Sequence, residues 1–444
     1  MESAVKAKHK TIRQLLYALQ HLIFGVANCA AVPVVVGSSL GLDAAGIAAF
    51  AQRTFFFSGC ACLLQAIWGH RYPIFEGPAG IWYSTFIVLA AMAVQVGKPL
   101  PELRSDLEMG LIGAGILSVL LGAFGLMPYV RRLFTPVVNG TFLILLSLQF
   151  SSTLAKGLLV SNGGVYSIAP DKVVVFCVTL GVTLFLSLKA RGFIQSIAVL
   201  IGTATGWAVA HLWSPSTPVT APKAGGAYFS LPDFLAWGTP TFDPGVTLSA
   251  VTTGTVVLAN LIASVSGMHA LLGLPERDSV YNRTVVCTGI ADILAGCGSV
   301  VGFVPYASSI GFGALTGVLS IGPFILGNAM LIVLGVIPAV GRFFAAMPVT
   351  VGYAVLFAVF AIIIGLGIRD CARTGLGTRE MIILGSSIMV GNGIGFIPAQ
   401  AFAGVPSTFS YLLANGLVVG VVLSLLLEHV VFPRQAGPPE GGAK

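Results

Sequence analysis

The sequence predicts an all-α polytopic membrane protein of fourteen transmembrane spans, arranged as two inverted repeats of seven, with short extended segments in the third and tenth. Three observations lead there. Of 444 residues, 56% are hydrophobic and only 9% charged, with a mean hydropathy of +0.94, whereas a soluble chain is about a quarter charged. Apolar runs of about 20 residues, the length that crosses a bilayer, follow one another along nearly the whole chain. Two of these runs are broken by proline and glycine at comparable places. One break is Pro73-Ile74-Phe75-Glu76-Gly77-Pro78-Ala79-Gly80 and the other lies between Gly302 and Gly317.

The runs fall at about 15–38, 46–68, 76–97, 109–128, 136–154, 170–189, 193–213, 245–267, 281–298, 306–321, 322–341, 348–368, 380–397 and 409–432. The polar, basic amino end (Met1 to Arg13) precedes a run too long for a signal-peptide core, so that run is expected to stay as the first span. With both ends cytoplasmic, inside segments carry Lys6, Lys8, Lys10, Arg13, Arg71, Arg131, Arg132, Lys189, Arg191, Arg277, Arg283, Arg369, Arg373, Arg379, Arg434 and Lys444, which is 16 of the 23 basic residues. Arg53, Lys98, Arg104, Lys156, Lys172, Lys223 and Arg342 fall outside or at that edge. This asymmetry requires an even number of spans in a cell (inner) membrane. It also accounts for the net charge of +7 as membrane orientation rather than nucleic-acid binding, which leaves the lipid bilayer as partner.

The seven cysteines (29, 60, 62, 177, 287, 297, 371) lie mostly within apolar runs, and Cys60-Ala61-Cys62 lacks the spacing of a zinc or redox motif. They read as small core residues. The long polar loop from Trp213 to Pro244 divides the chain near its middle. Arg132 to Gly140 is echoed by Arg342 to Gly352, each with Pro-Val-x-x-Gly before a long apolar run. An echo seven spans later has opposite membrane orientation, hence an inverted repeat.

Backbone without helical hydrogen bonds is tolerated at membrane depth only where protein buries it or where it lines a wet cavity. Paired breaks in two halves are the sequence signature of a transporter's binding site. An extended piece from Phe303 to Ala307 leading into a helix near Ser308 would turn free N–H groups and a positive dipole end toward a ligand.

Four stretches carry a family resemblance: Gln20-His21-Leu22-Ile23-Phe24-Gly25 with Val32-Pro33, then Arg132 to Gly140, then Ile310-Gly311 with Ala314-Leu315-Thr316-Gly317, and Asn415-Gly416. In order and spacing the chain resembles the nucleobase–ascorbate transporters (nucleobase–cation symporter type 2, the xanthine/uracil permease family). The Glu76-Gly77-Pro78-Ala79-Gly80 variant looks closest to a purine-permease branch. The resemblance implies a core domain from spans 1–4 and 8–11 and a gate from spans 5–7 and 12–14. In residues these are 1–128 and 214–341 for the core, 129–213 and 342–444 for the gate. Substrate would bind between them, beside short strands in spans 3 and 10. It further implies import of a nucleobase, usually with protons, by a protein that often forms a homodimer. The chain departs from the family where span 10 usually begins with Glu or Gln followed by Asn, since Ser308-Ser309 stand there, and where span 8 usually offers a carboxylate, since Asn260 stands there.

The candidate residues each admit two readings. Glu76, an acid within a broken span, is either a ligand acceptor and titrating group or an interfacial carboxylate paired with His70 or Arg71; a charge at mid-membrane costs at least about 2.5 kcal/mol. Ser308 and Ser309 can donate and accept at a ligand edge, or cap the helix. The Asn260 amide suits a purine edge, or an interhelical hydrogen bond. Ala79 and Gly80 let backbone approach a planar ring, and Phe75, Trp82 or Tyr306 could stack on it. Asp292 reads as a structural hydrogen-bonding group with a lesser claim to a coupling role. His21, with Gln20, reads first as a core histidine and second as part of a proton path. No phosphate loop, catalytic triad or metal cluster stands out; Gly391-Asn392-Gly393-Ile394-Gly395 lacks a βαβ setting. An enzyme is not expected, nor any cofactor beyond protons as coupling ion.

The expectation is therefore a secondary active transporter importing a nucleobase, a purine such as xanthine, urate, guanine or hypoxanthine, by alternating access. The alternatives are an anion (sulfate or carboxylate) transporter of the same architecture and a non-concentrative channel or sensor.

Overall fold

The computed structural model describes residues 2–155, 158–162, 165–213, 227–373, 375–397, 401, 413 and 415–433. Lys156, Lys223, Arg434, Lys444 and the first part of the fourteenth span lie outside them, as do the side chains of Lys6, Lys8, Lys10 and Arg131.

The first span is α1 (Glu2–Cys29) and α2 (Ala31–Ser39). The interruption precedes Pro33, which cannot donate to the carbonyl four residues back. Asp43 then caps α3 (Ala44–Ile67), its carboxylate accepting from the Gly46 N–H at 2.8 Å. The chain continues through β1 (Glu76–Pro78), α4 (Gly80–Val96), α5 (Leu100–Ala123), α6 (Met127–Leu133) and α7 (Pro136–Ala155). An antiparallel hairpin, β2 (Leu159–Asn162) and β3 (Val165–Ile168), leads to α8 (Pro170–Lys189), α9 (Phe193–Ser196) and α10 (Ala198–Trp213). The second half holds α11 (Pro244–Leu272), α12 (Asp278–Cys297), β4 (Phe303–Pro305), α13 (Ser308–Thr316), α14 (Ile321–Gly335) and α15 (Pro338–Ala345). It closes with α16 (Val349–Ala372), α17 (Thr378–Ile394), α18 (Gly416–Leu426) and a last π-helical turn, Leu427–Val431.

Six helices among the described residues are long and apolar enough to cross a membrane, and four more are apolar but shorter. Where the run at 306–321 stood, α13 has only nine residues. The run at 322–341 is a bent pair, α14 and α15 meeting at 82°, because Pro338 begins a new helix where the old one can no longer be continued. Hydropathy does not register such bends. The run at 109–128 begins earlier, at Leu100, since Glu102, Arg104, Asp106 and Glu108 look like a loop in hydropathy yet lie in a helix with Pro101 in its first turn. Among the cysteines, Cys177 is exposed on α8 rather than in the core.

The helices pack in two groups, each drawn from both halves of the chain. In one, α5 lies against α11 and α12, and α14 lies against α1 and α3; in the other, α16 packs on α7 and α8, and α17 and α18 close on α7. The α5–α12 contact is backbone on backbone. A Cβ added at Gly115 would lie 2.6 Å from the Gly289 carbonyl, one at Gly289 2.6 Å from that of Gly115, and one at Gly122 2.6 Å from that of Asn282. Small residues permit this approach. The sequence echo has a structural counterpart, since α6–α7 and α15–α16 are both a short helix, a proline and a long helix.

The segment 227–243 closes one end of the first group. Trp237 inserts against Phe50 and Phe86, Leu235 N–H donates to the Cys297 carbonyl at 2.7 Å, and Thr241 donates to Asp106 at 2.7 Å. Lys98 bridges Asp106 at 2.6 Å and Asp243 at 2.7 Å. Burial alone would raise the Asp243 carboxyl, but Lys98 and the N–H groups of Val246 and Gly245 outweigh it and hold the group below its ordinary value. Lys98 is held above its ordinary value by the two carboxylates, against the opposing effect of burial. A lowered acid contributes stability above its unfolded pKa, and a raised lysine contributes it below its own, so the bridge is complete between about pH 4 and 10. Lys98→Met is expected to cost about 2 kcal/mol. A thermal-unfolding scan in detergent checks this: the midpoint of the wild type should exceed that of the variant at pH 7, and the gap should close as pH falls through the Asp243 pKa.

Candidate substrate site

The two broken segments meet. β1 and β4 pair antiparallel, with Glu76 opposite Pro305, Gly77 opposite Val304 and Pro78 opposite Phe303. The ribbon is lengthened by Ala79 N–H to the Gly302 carbonyl and Tyr306 N–H to the Phe75 carbonyl, both 2.8 Å. Its outward backbone groups are taken up by side chains: Glu76 N–H by Cys62 Sγ at 3.1 Å, Phe303 N–H by Asp292 Oδ1 at 2.8 Å, Phe75 N–H by Ser309 Oγ at 2.9 Å. The Pro305 carbonyl accepts from Ser264 Oγ at 2.7 Å. Irregular backbone survives inside a membrane protein only under such complete pairing.

Side chains alternate across a strand, so the ribbon has two faces. On the back, Glu76 is fully buried. Its Oε1 accepts from Thr288 Oγ1 at 2.9 Å and Gln65 Nε2 at 3.5 Å, while Oε2 has no partner among the described residues. Gln65 also donates to Thr288 Oγ1 at 2.9 Å and to the Thr284 carbonyl at 3.1 Å. Thr284, Thr288 and Asp292 stand four residues apart on α12 and so form one stripe behind the ribbon. Neither His70 nor Arg71 pairs with Glu76: His70 Nδ1 accepts from the Tyr72 N–H and Arg71 Nε donates to the Ile67 carbonyl.

On the front, Gly77 shares its side with Phe75 and Tyr306. A Cβ there would lie 2.6 Å from Phe75 Cε1 and 3.0 Å from Tyr306 Cζ. Those rings stand 5.7 Å apart at 74°, and the Tyr306 hydroxyl donates to the Pro78 carbonyl at 2.5 Å. Gly80 opens α4, and a Cβ built on it would lie 3.7 Å from Phe360 of α16, so this helix start faces the second group of helices. Tyr83, one turn on, stacks edge-on against Phe360 at 5.9 Å. Trp82 is enclosed in the core and cannot reach the front.

The helix starts differ in what they offer. At α4 the first backbone bond is Tyr83 N–H to the Ala79 carbonyl, which leaves the amides of Gly80, Ile81 and Trp82 without an acceptor among the described residues. Buried Ala79 has its own N–H engaged within the ribbon. At α13 a tight turn engages Ser309 N–H with the Tyr306 carbonyl and Ile310 N–H with that of Ala307. Ala307, not a serine, is the N-cap. Ser308 is exposed at the first helical position, whereas Ser309 is buried. Half-buried Asn260 lies on α11 between Thr253, which bonds Thr85 of α4 at 3.1 Å, and Ser264, which bonds β4. Its amide has no hydrogen-bond partner among the described residues.

The structure sets Glu76 and Asp292 behind the ribbon, opens α4 at Gly80 toward the second helix group, and leaves Ser308 exposed at the start of α13 and Asn260 half-buried on α11. His21 is apart from both, buried 5.0 Å from Phe312 and 5.3 Å from Phe324, with Nε2 unpartnered among the described residues. Gln65, Thr288 and Ser264 are absent from the sequence expectations. The Thr284-x-x-x-Thr288-x-x-x-Asp292 spacing is the signal that marks Thr288 as part of a polar stripe; Gln65, on α3, has no such signal.

In fold, the chain is similar to the transmembrane domain of a cyanobacterium bicarbonate transporter, BicA, with a TM-score of 0.62 at 15% identity over 93% of this chain and 96% of that one. In sequence it is similar to the uric acid permease PucK of Bacillus subtilis (strain 168), 25% identical over 96% of this chain and 97% of that protein. A second protein of that organism, named "Putative purine permease YwdJ", is 30% identical over 94% of this chain and 96% of its own length. Residues 12–400 match the family model described as "Permease family", that of the xanthine/uracil permeases. With nearly nine-tenths of its length inside that match, the chain belongs to the xanthine/uracil permease family.

Proposed function

We propose that this permease is a secondary active transporter that imports a purine, such as xanthine, urate, guanine or hypoxanthine, together with protons. The helix group α1–α5 with α11–α15 is the core and α7–α10 with α16–α18 the gate, and relative motion of the two alternates access. It works in the cell membrane with both termini cytoplasmic, as a homodimer. The observation that carries this reading is the front of the ribbon. The unengaged amides of Gly80 and Ile81, the exposed Ser308 hydroxyl and the Asn260 amide offer donors and acceptors to a planar heterocycle's edge, while Tyr306 stands beside them as an aromatic wall. Purine-permease relatives of full length support the same substrate class.

Two substitutions separate binding from folding. Asn260→Ala removes an amide that has no hydrogen-bond partner among the described residues, so the KM for purine uptake should rise about tenfold, one hydrogen bond's worth, with the unfolding midpoint unchanged. Ser309→Ala strips the acceptor from the buried Phe75 N–H and should lower the midpoint, by about 1–3 kcal/mol of stability. An unchanged KM for every purine in Asn260→Ala contradicts the assigned role.

A second reading, an inorganic or carboxylate anion as substrate, is favoured by one observation: the Glu76 carboxylate is turned to Thr288 and Gln65, away from the open start of α4. Uptake competition decides between them. Xanthine or guanine should compete with the purine, and sulfate should not; the opposite pattern establishes the anion reading.

A further inference from the structure

Two cavities on the core group share one residue, Arg283 of α12. The first is an apolar groove of about 550 Å³ on the outer surface where α3, α5 and α12 meet, lined by Leu64, Trp68, Val286 and Ile290 with Arg283 at its end. The second is a basic recess of about 240 Å³ formed by the turn after α3 and the α11–α12 connection, lined by His70, Arg71, Tyr72, His269, Arg277 and Arg283. All three arginines are exposed, and none is in an ion pair among the described residues. Arg71 is oriented by its Nε–H bond to the Ile67 carbonyl at 3.1 Å, which leaves its two terminal nitrogens for another acceptor. Arg277 is the N-cap residue of the 20-residue α12, whose helix start adds partial positive charge. His70, 1% exposed, has an Nε2 with no partner among the described residues. Tyr72 and His269 brace the wall through a 3.1 Å contact between the hydroxyl and Nε2. Of the nearby acids, Glu276 is turned to Ser266 at 2.6 Å, and Asp278 lies in the first turn of α12.

We propose that these two cavities together are a binding site for an anionic phospholipid. Its acyl chain lies in the groove along Leu64, Val286 and Ile290, and its phosphate sits among Arg71, Arg277 and Arg283. Charge complementarity selects the headgroup: guanidinium groups match phosphate oxygens in a bidentate manner, and basic recesses between spans at the cytoplasmic side suit anionic lipid. The tail is selected by continuity, since the apolar groove begins at the arginine where the recess ends. The side is consistent, because Arg71, Arg277 and Arg283 all belong to segments read as cytoplasmic. Arg283 and Thr284 are consecutive on α12, so the lipid would bear on the same helix that holds Gln65 and Glu76 behind the ribbon. This inference does not depend on which substrate is carried.

The test is thermal unfolding of the purified full-length protein in neutral detergent. Four additions are compared: dioleoylphosphatidylglycerol, dioleoylphosphatidylcholine, glycerol 3-phosphate and inorganic phosphate. The phosphatidylglycerol is expected to raise the midpoint by several degrees over phosphatidylcholine, and the two soluble phosphates to leave it unchanged. Arg277→Gln with Arg283→Gln should reduce the phosphatidylglycerol effect to that of phosphatidylcholine, and Ile290→Trp, which fills the groove without altering charge, should diminish it as well. Arg369→Gln, remote from the recess, should retain it. Equal midpoints in the two lipids overturn the proposal. So does an equal shift with inorganic phosphate, an undiminished effect in Ile290→Trp, or its loss in Arg369→Gln.

Discussion

Glu76→Gln is expected to abolish accumulation of purine against a gradient while sparing exchange of purine across the membrane. The side chain is fully buried and holds one oxygen on Thr288 and Gln65, with the other oxygen bare. An ionised carboxylate with an unpaired oxygen at membrane depth costs several kcal/mol, so proton loss there must be matched by a change around it. The same strand that carries Glu76 backward carries Phe75 and Gly77 forward, and Glu76 lies opposite Pro305 in the register. In the proposed mechanism, protonation behind the ribbon would act on the substrate through backbone position rather than by direct contact. Glutamine keeps the shape and the Oε1 acceptor but cannot titrate. Vesicles with an imposed proton gradient provide the measurement: labelled purine should equilibrate without concentrating in the variant, and counterflow should persist. Full concentration by Glu76→Gln contradicts the coupling role.

Gly115→Leu, or Gly289→Leu, is expected to leave almost no folded protein. Each added Cβ would stand 2.6 Å from a backbone carbonyl of the facing helix, with Ile293 and Val119 close beside. Backbone cannot yield as a side chain end can, so α5 and α12 must separate, at a cost of about 3 kcal/mol or more. That separation also withdraws Thr288 and Asp292 from the ribbon they hold. Gly365→Leu on α16 is the matched control, since nothing lies within 4 Å of a Cβ there. The yield of monodisperse protein on size exclusion should collapse for the first two variants and hold for the third.

The sequence was most informative where proline and glycine intervene. Pro73, Pro78 and Pro305 mark both breaks because a residue without an N–H cannot continue a helix, and no tertiary contact is needed to see it. The direction of Glu76 was not legible. It depends on strand register, and a shift of one residue would turn the carboxylate to the front. Ser309 likewise reads as a cap or a ligand in isolation, and only the neighbouring β1 shows it holding Phe75. The early start of α5 is not legible because Asp106 and Glu108 look like loop residues until Lys98 and Thr241 are seen to engage Asp106, and Trp237 and Ser299 to engage Glu108 Oε1. Charges paired across distant parts of the chain carry no local signature.

A purine on the front of the β1–β4 ribbon, against the start of α13, would shield Ser308. Thiol labelling of Ser308→Cys addresses it directly, in a background where Cys60, Cys177 and Cys297, the cysteines that are not buried, are replaced by serine. The introduced thiol is expected to react readily, and xanthine or urate to protect it in a saturable way, whereas sulfate should not. Labelling that no purine slows, in protein that still takes up purine, contradicts it.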